Sequence, residues 1–228
     1  MSAWWTYTLS DLLMFSARTY WRLLELVNRE LWPLHLLTGA AGVLVMGCIL
    51  RPAARTQRLA CLVLGASWAW VGWAFHLQRL ADIHTGAPYF AAGFALQALL
   101  LWAMGLRART FEAAPARWRI GIAIAGAGVL VYPLLALLDG GGWRRAEVFG
   151  IAPDPTAIAT LGLLLALRAH PIAWLIPLAW CVVSSATLME LRAWQAWMPI
   201  AIALLTTGAG LLLRRREATL SSTADRPT

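Results

Sequence analysis

The sequence predicts an all-α polytopic bundle of about seven transmembrane helices, preceded by an N-terminal amphipathic helix lying in the membrane interface. Of its 228 residues, 60% are hydrophobic and only 13% charged, against about 25% charged in an ordinary soluble domain. A core of this size cannot hide that much apolar surface, so lipid must wet much of the exterior. The apolar residues fall into runs close to the roughly 20 that cross a bilayer, separated by short arginine-bearing connections.

The N-terminal stretch differs from the rest. Leu9, Leu12, Leu13, Ser16, Tyr20, Leu23, Leu24, Val27 and Leu31 recur at helical spacing on one face, while Asp11, Arg18, Arg22, Glu25 and Arg29 fall on the other. Those charges are too costly for a lipid-crossing segment. Residues 1–30 are therefore expected to form an interfacial helix over about Ser10–Glu30, capped by Ser10 or Asp11, with Trp4, Trp5 and Trp21 at headgroup depth. The first residues lack the basic stretch and the small-residue cleavage site of a signal peptide, so insertion is expected to rely on the first span.

The bundle is expected over residues 31–216. Its spans are Leu31–Leu50, Leu59–Leu77, Pro88–Leu106, Ile120–Leu138, a short Thr156–Leu167, Ile172–Met189 and Trp194–Leu213. Arg51 and Pro52 end the first, Gly140–Gly142 close the fourth, and Arg214–Arg216 stop the last. Residues 217–228 read as a disordered tail. Glycine-rich stretches at Gly39–Gly42, Gly121–Gly128 and Gly208–Gly210 suit close helix packing in lipid.

The net charge is +8, and all 19 basic residues are arginine. They punctuate apolar runs instead of forming a basic face, which is a topology signal and not that of a nucleic-acid partner. Arginine is denser on the connections holding Arg51, Arg55, Arg58, Arg107, Arg117 and Arg168, while most acidic residues lie on the opposite set. That bias places the N-terminus outside and the C-terminus in the cytoplasm. Cys48, Cys61 and Cys181 lie inside apolar runs with no CxxC spacing, and are expected to pack as small apolar residues.

No P-loop, HExxH, GxSxG or dinucleotide fingerprint is present, so an enzyme is not the expectation. What remains is polar residues at membrane depth, which are functional candidates because they are costly there. His35 and His76 reach a similar height on neighbouring helices, counted at about 1.5 Å per residue. As a pair they suit a proton, a transition metal or a haem edge; singly, each suits a hydrogen bond to backbone or water. Tyr132, beside the helix-bending Pro133, belongs to the same level, as do Asp154 and Glu190. The plainer readings are a helix N-terminus for Asp154-Pro155-Thr156, and solvation or pairing with Arg192 for Glu190. Gln97 is the one clear amide at mid-membrane and is expected to hydrogen-bond a neighbouring helix. His84 and His170 are expected to be solvated loop residues.

The run WAWVGWAFHL (Trp68–Leu77) with the following AAGFALQALLLW, and VYPLLALLDGGG with VFGIAPDPTAIATLGLLLAL, resembles a bacterial family of uncharacterised integral membrane proteins. The resemblance covers most of the chain between the first and sixth spans. It implies a polytopic inner-membrane fold and carries no activity.

Three functions fit these residues. The leading one is a small-solute or ion transporter with a polar site in the outer leaflet, His76 being its protonatable centre and Tyr132 and Asp154 its entrance. A second is a non-catalytic subunit or assembly factor of a larger membrane complex; a stable partner would favour it, while a self-contained homo-oligomer would favour the transporter. A third is a haem or transition-metal protein using His35 and His76; the first two need no cofactor.

Overall fold

The computed structural model describes residues 14–51, 53–108, 115–138 and 140–224. Among these the chain forms helices only, apart from turns and one isolated bridge between Phe149 and Ala152.

Helix α1 (Ala17–Glu30) starts after Ser16, whose hydroxyl accepts the Thr19 N–H. Ser10 and Asp11, expected as caps, lie outside the described residues. Tyr20, Leu23, Leu24 and Val27 are buried and Arg18, Arg22 and Arg29 exposed, as the three-and-four spacing requires. The chain then turns by 92° into α2 (Leu34–Ile49), so α1 lies across the end of the bundle.

Six helices close a ring. They are α2, α3 (Ala54–Val71), α4 (Ala87–Leu106), α5 (Pro115–Gly126), α7 (Leu175–Glu190) and α8 (Met198–Ala224). The order around the ring is α2, α3, α4, α7, α8, α5 and back to α2. α3 continues as a π-helical stretch, Gly72–Leu77. α5 does likewise over Ala127–Val131, then tightens to a 3-10 turn at Tyr132–Leu134 and ends with Leu135–Leu138. Large apolar residues face outward all round: Leu37 and Leu44 on α2, Leu99 on α4, Leu205 and Leu212 on α8. A surface of that kind is stable against acyl chains and not against water.

Inside the ring runs α6 (Pro153–Ala166), and all 14 of its residues are buried. It packs on α2, α3, α5, α7 and α8. At about 1.5 Å per residue it rises about 21 Å, short of the about 30 Å hydrocarbon layer. The segment expected as a short fifth span is therefore the axis of the bundle, solvated by other helices and not by lipid. Five helical stretches are long and apolar enough to cross a membrane, or six if α1 and α2 count as one bent span. The expected count of about seven is met by the ring plus this enclosed helix.

The far ends of α5, α6 and α8 meet at one ion cluster. Glu217 bonds the buried Arg117 at 2.8 Å and Arg168 at 3.0 Å. Residues 217–224, read from sequence as the start of a disordered tail, thus continue α8 and tie it back to the bundle. The sequence signal missed was charge complementarity between Glu217 and arginines about 50 and 100 residues earlier. Residues 225–228 lie outside the described residues.

Candidate functional site

The end of the interior under α1 holds a cluster of buried polar residues. Asp154 is the second residue of α6. Ala152 is the residue before the helix and Pro153 opens it, where a missing N–H costs nothing. Asp154 therefore does not cap the helix; its side chain leaves the axis and takes three donors from two ring helices. The Tyr132 hydroxyl donates to Oδ2 at 2.7 Å, the Ser184 hydroxyl to Oδ2 at 2.6 Å and the Trp180 indole N–H to Oδ1 at 2.8 Å. Trp180 and Ser184 are four residues apart on α7 and so share a face. Tyr132 is aimed inward by the change from π to 3-10 geometry at Pro133. The positive end of α6 adds to the field that favours an anion here.

The Asp154 carboxyl is 3% exposed, and beside it lies a second acid, Glu147, at 5%. Among the described residues no arginine bonds either one. Arg145 reaches the same cleft but directs its guanidinium to Glu25 at 2.8 Å. The cleft between Tyr132, Glu147 and Gln195 measures about 10 Å³, room for about one water. Two enclosed acceptors, Glu147 Oε2 and Gln195 Oε1, have no hydrogen-bond donor. Unfilled acceptors beside an acid with no counter-charge make a seat for a positive charge: a proton or a small cation. Burial pushes the Glu147 carboxyl well above the usual carboxylate range, and the Asp154 charge pushes it the same way.

That shift has a testable sign. The folded protein holds a proton on Glu147 that the unfolded chain, with an ordinary carboxyl near 4.3, releases. The resulting stability is complete below about pH 4.3 and is lost as pH rises towards the folded value. The groups facing Glu147 are Asp154, Tyr20 and Tyr132, with Arg145 on the rim. Glu147→Gln should unfold at a higher temperature than the parent above pH 7 and at the same temperature near pH 4, read by thermal unfolding in detergent.

His76 closes the other side of Trp180. It sits in the π-helical stretch of α3, a geometry that often marks functional positions. Its ring packs edge-on against Trp180 at 5.0 Å, Phe94 at 4.5 Å and Phe90 at 5.8 Å. It is fully buried, and neither ring nitrogen has a partner. Leaving such groups unmade costs about 1–3 kcal/mol each. Trp180 thus touches both His76, in a T-shaped ring contact, and Asp154, through its indole N–H.

The other two candidates lie elsewhere. His35 is half-buried, with Nε2 at 3.0 Å from Asn28 Oδ1 in a groove beside α1. No contact among the described residues joins the two histidine rings, because equal height on neighbouring helices does not fix the direction each ring faces. Glu190 is exposed at the end of α7, six residues or about 9 Å of helical rise past Ser184. Among the described residues it makes no ion pair with Arg192. Gln97 donates to the Ala173 carbonyl at 3.2 Å, the interhelical bond expected of it. His84, expected to be solvated, is instead partly buried against Phe15 and Phe90.

Four residues of this site were not singled out from the sequence: Glu147, Trp180, Ser184 and Gln195. For Trp180 and Ser184 the signal was their four-residue spacing in an apolar run. For Glu147 it was the flanking Val148, Phe149 and Ile151, too apolar for a solvated loop.

Searches of curated proteins and of solved structures found no match for this chain. One family model does match, over residues 17–222, from the first turn of α1 nearly to the end of α8. It takes in the whole ring, the enclosed α6 and every residue of the buried acid site. The resemblance seen in the tryptophan-rich and tyrosine-proline motifs therefore rests on a match over nearly the full chain, and the protein belongs to the family of unknown function DUF6064.

Proposed function

We propose that this chain is a small multi-pass transporter of protons or small monovalent cations, working through the acid site of Asp154 and Glu147. The observation that carries this reading is a pair of buried carboxyls that no arginine bonds among the described residues, with one Glu147 oxygen and the neighbouring Gln195 Oε1 lacking donors there. Ionisable groups of that kind inside a membrane bundle are expensive and mark ion or proton paths. Asp154 is the fixed anion, oriented by Tyr132, Trp180 and Ser184. Glu147 is the exchangeable group, because it borders the small cleft and has an oxygen to spare. Arg145 at the rim is held by Glu25 and so leaves the two acids without a bonded guanidinium among the described residues. His76, in its aromatic enclosure, packs against Trp180, a lesser part than the sequence suggested for it.

Arginine density at the Arg117 rim supports a cytoplasmic C-terminus in a bacterial inner membrane. The acid site then lies towards the outer leaflet, beneath α1.

The test is flux in proteoliposomes holding a pH-sensitive dye, driven by proton, sodium or potassium gradients. The parent should exceed protein-free vesicles, and Asp154→Asn should lose at least about tenfold of that flux, since it removes the buried carboxylate that Tyr132, Trp180 and Ser184 orient. Parent vesicles that leak no faster than empty ones, or an Asp154→Asn protein as fast as the parent, overturn the proposal. A stable partner at native expression, with no flux, would favour the subunit reading instead.

A further inference from the structure

A second site lies outside the acid cluster, on the surface of the same rim. The turn at Gly142–Arg145 packs on α1, and Asn28 pins the two together by donating to the carbonyls of Arg144 and Ala146 at 2.8 and 2.9 Å. Between them, and above the start of α2, opens a groove of about 740 Å³. That volume is in the range that holds a whole small molecule or a lipid headgroup with part of its tails.

The groove has two chemically distinct parts. One is cationic. Arg22, Arg29 and Arg144 line it, and all three are exposed. Glu25, its one acid among the described residues, is already shared between Arg22 at 3.2 Å and Arg145 at 2.8 Å. Arg29 and Arg144 have no acidic partner among the described residues. The other part is apolar. Trp32 and Trp143 are exposed to 64% and 62% at the mouth, as residues at headgroup depth are. From Leu36 an exposed strip runs down α2 through Ala40 and Val43, at four- and three-residue spacing on one face. Beside it, Gly39 meets nothing within 4 Å of where a Cβ would stand, leaving the strip open and flat.

We infer that this groove binds a phosphate-bearing anionic lipid, with its headgroup between Arg29 and Arg144 and an acyl chain along Leu36, Ala40 and Val43. Guanidinium groups fit phosphate oxygens in a two-point geometry. Basic pockets at the membrane surface select anionic headgroups on that ground. The continuous apolar strip below the arginines selects for a ligand with a tail, which a free phosphate lacks. The site is independent of the transport reading. Arg144 and Ala146 line the groove while Arg145 and Glu147 line the acid cleft, so one short segment separates the two.

The test uses the full chain purified in detergent, incubated with equimolar phosphatidylglycerol and phosphatidylcholine, and native mass spectrometry to count retained lipid. The parent should retain phosphatidylglycerol at least about tenfold over phosphatidylcholine. Arg29→Gln with Arg144→Gln should abolish that preference. Arg55→Gln with Arg58→Gln, on exposed arginines of α3 remote from the groove, should keep it and so report on folding and general charge. Inorganic phosphate should displace the lipid poorly. Equal retention of the two lipids, an unaffected groove variant, or displacement by inorganic phosphate at the lipid's own concentration would each overturn the inference.

Discussion

Asp154→Ala should unfold at a far lower temperature than Asp154→Asn, although both remove the charge. In the parent, Tyr132, Trp180 and Ser184 all donate to this carboxyl inside the bundle. Alanine leaves three donors and a cavity, and each buried unsatisfied group costs about 1–3 kcal/mol. The two hydroxyls can rotate towards other acceptors, but the indole N–H cannot. A net loss of about 3 kcal/mol is expected, lowering the unfolding temperature by about 6–12 °C for a chain of this length. Asparagine has the same shape. With its amide oxygen towards Trp180 and its NH₂ towards Tyr132 and Ser184, whose hydroxyls also accept, every bond can be remade. The asparagine variant should therefore stay folded while losing flux, which separates structural from functional loss. An alanine variant as stable as the parent would show that the three bonds contribute little.

The second large effect lies at the axis of the bundle. A Cβ built on Gly162 of α6 meets the Gly121 carbonyl oxygen, the Ala125 nitrogen at 2.6 Å and the Ala125 Cα at 3.0 Å, all backbone atoms of α5. No rotamer change relieves that contact, so α5 and α6 must separate. Overpacking typically costs about 1–3 kcal/mol, and more where backbone has to move. Gly162→Ala is expected at or beyond the upper end of that range. Gly39, exposed to open space on α2, is the control. Gly39→Ala should be neutral or gain up to about 1 kcal/mol of helix propensity. Thermal unfolding of the two variants in one detergent checks the contrast; equal stabilities would mean that α5 and α6 are not in close contact.

These two residues also mark where sequence reasoning reached and where it stopped. The ring helices and α1 were legible because their physics is local: run length for the spans, and apolar spacing for α1 at Tyr20, Leu23, Leu24 and Val27. The enclosure of α6 was not, since an apolar run reads alike whether lipid or protein surrounds it. Its shortness and its Thr156, Thr160 and Gly162 were the only hints. Within the site, Tyr132 and Asp154 stood out as polar residues at depth, and the fold joins them by a hydrogen bond. Glu147 did not stand out. It sits in a connection between helices, and only the fold of α1 over that connection, tied by a contact spanning about 120 residues, encloses it; the apolar Val148, Phe149 and Ile151 beside it were the one local hint. His35 and Glu190 lie away from this cluster: height along a helix is right as arithmetic and silent on which way each side chain faces.

Infrared spectroscopy reports whether the enclosed acids seat a positive charge, on protein at neutral pH in a buffer whose only cation is too bulky to enter the cleft. A carbonyl band of a protonated carboxylic acid should be present, should vanish in Glu147→Gln, and should fade in the parent as pH is raised. A spectrum with only ionised carboxylates under those conditions would contradict the account.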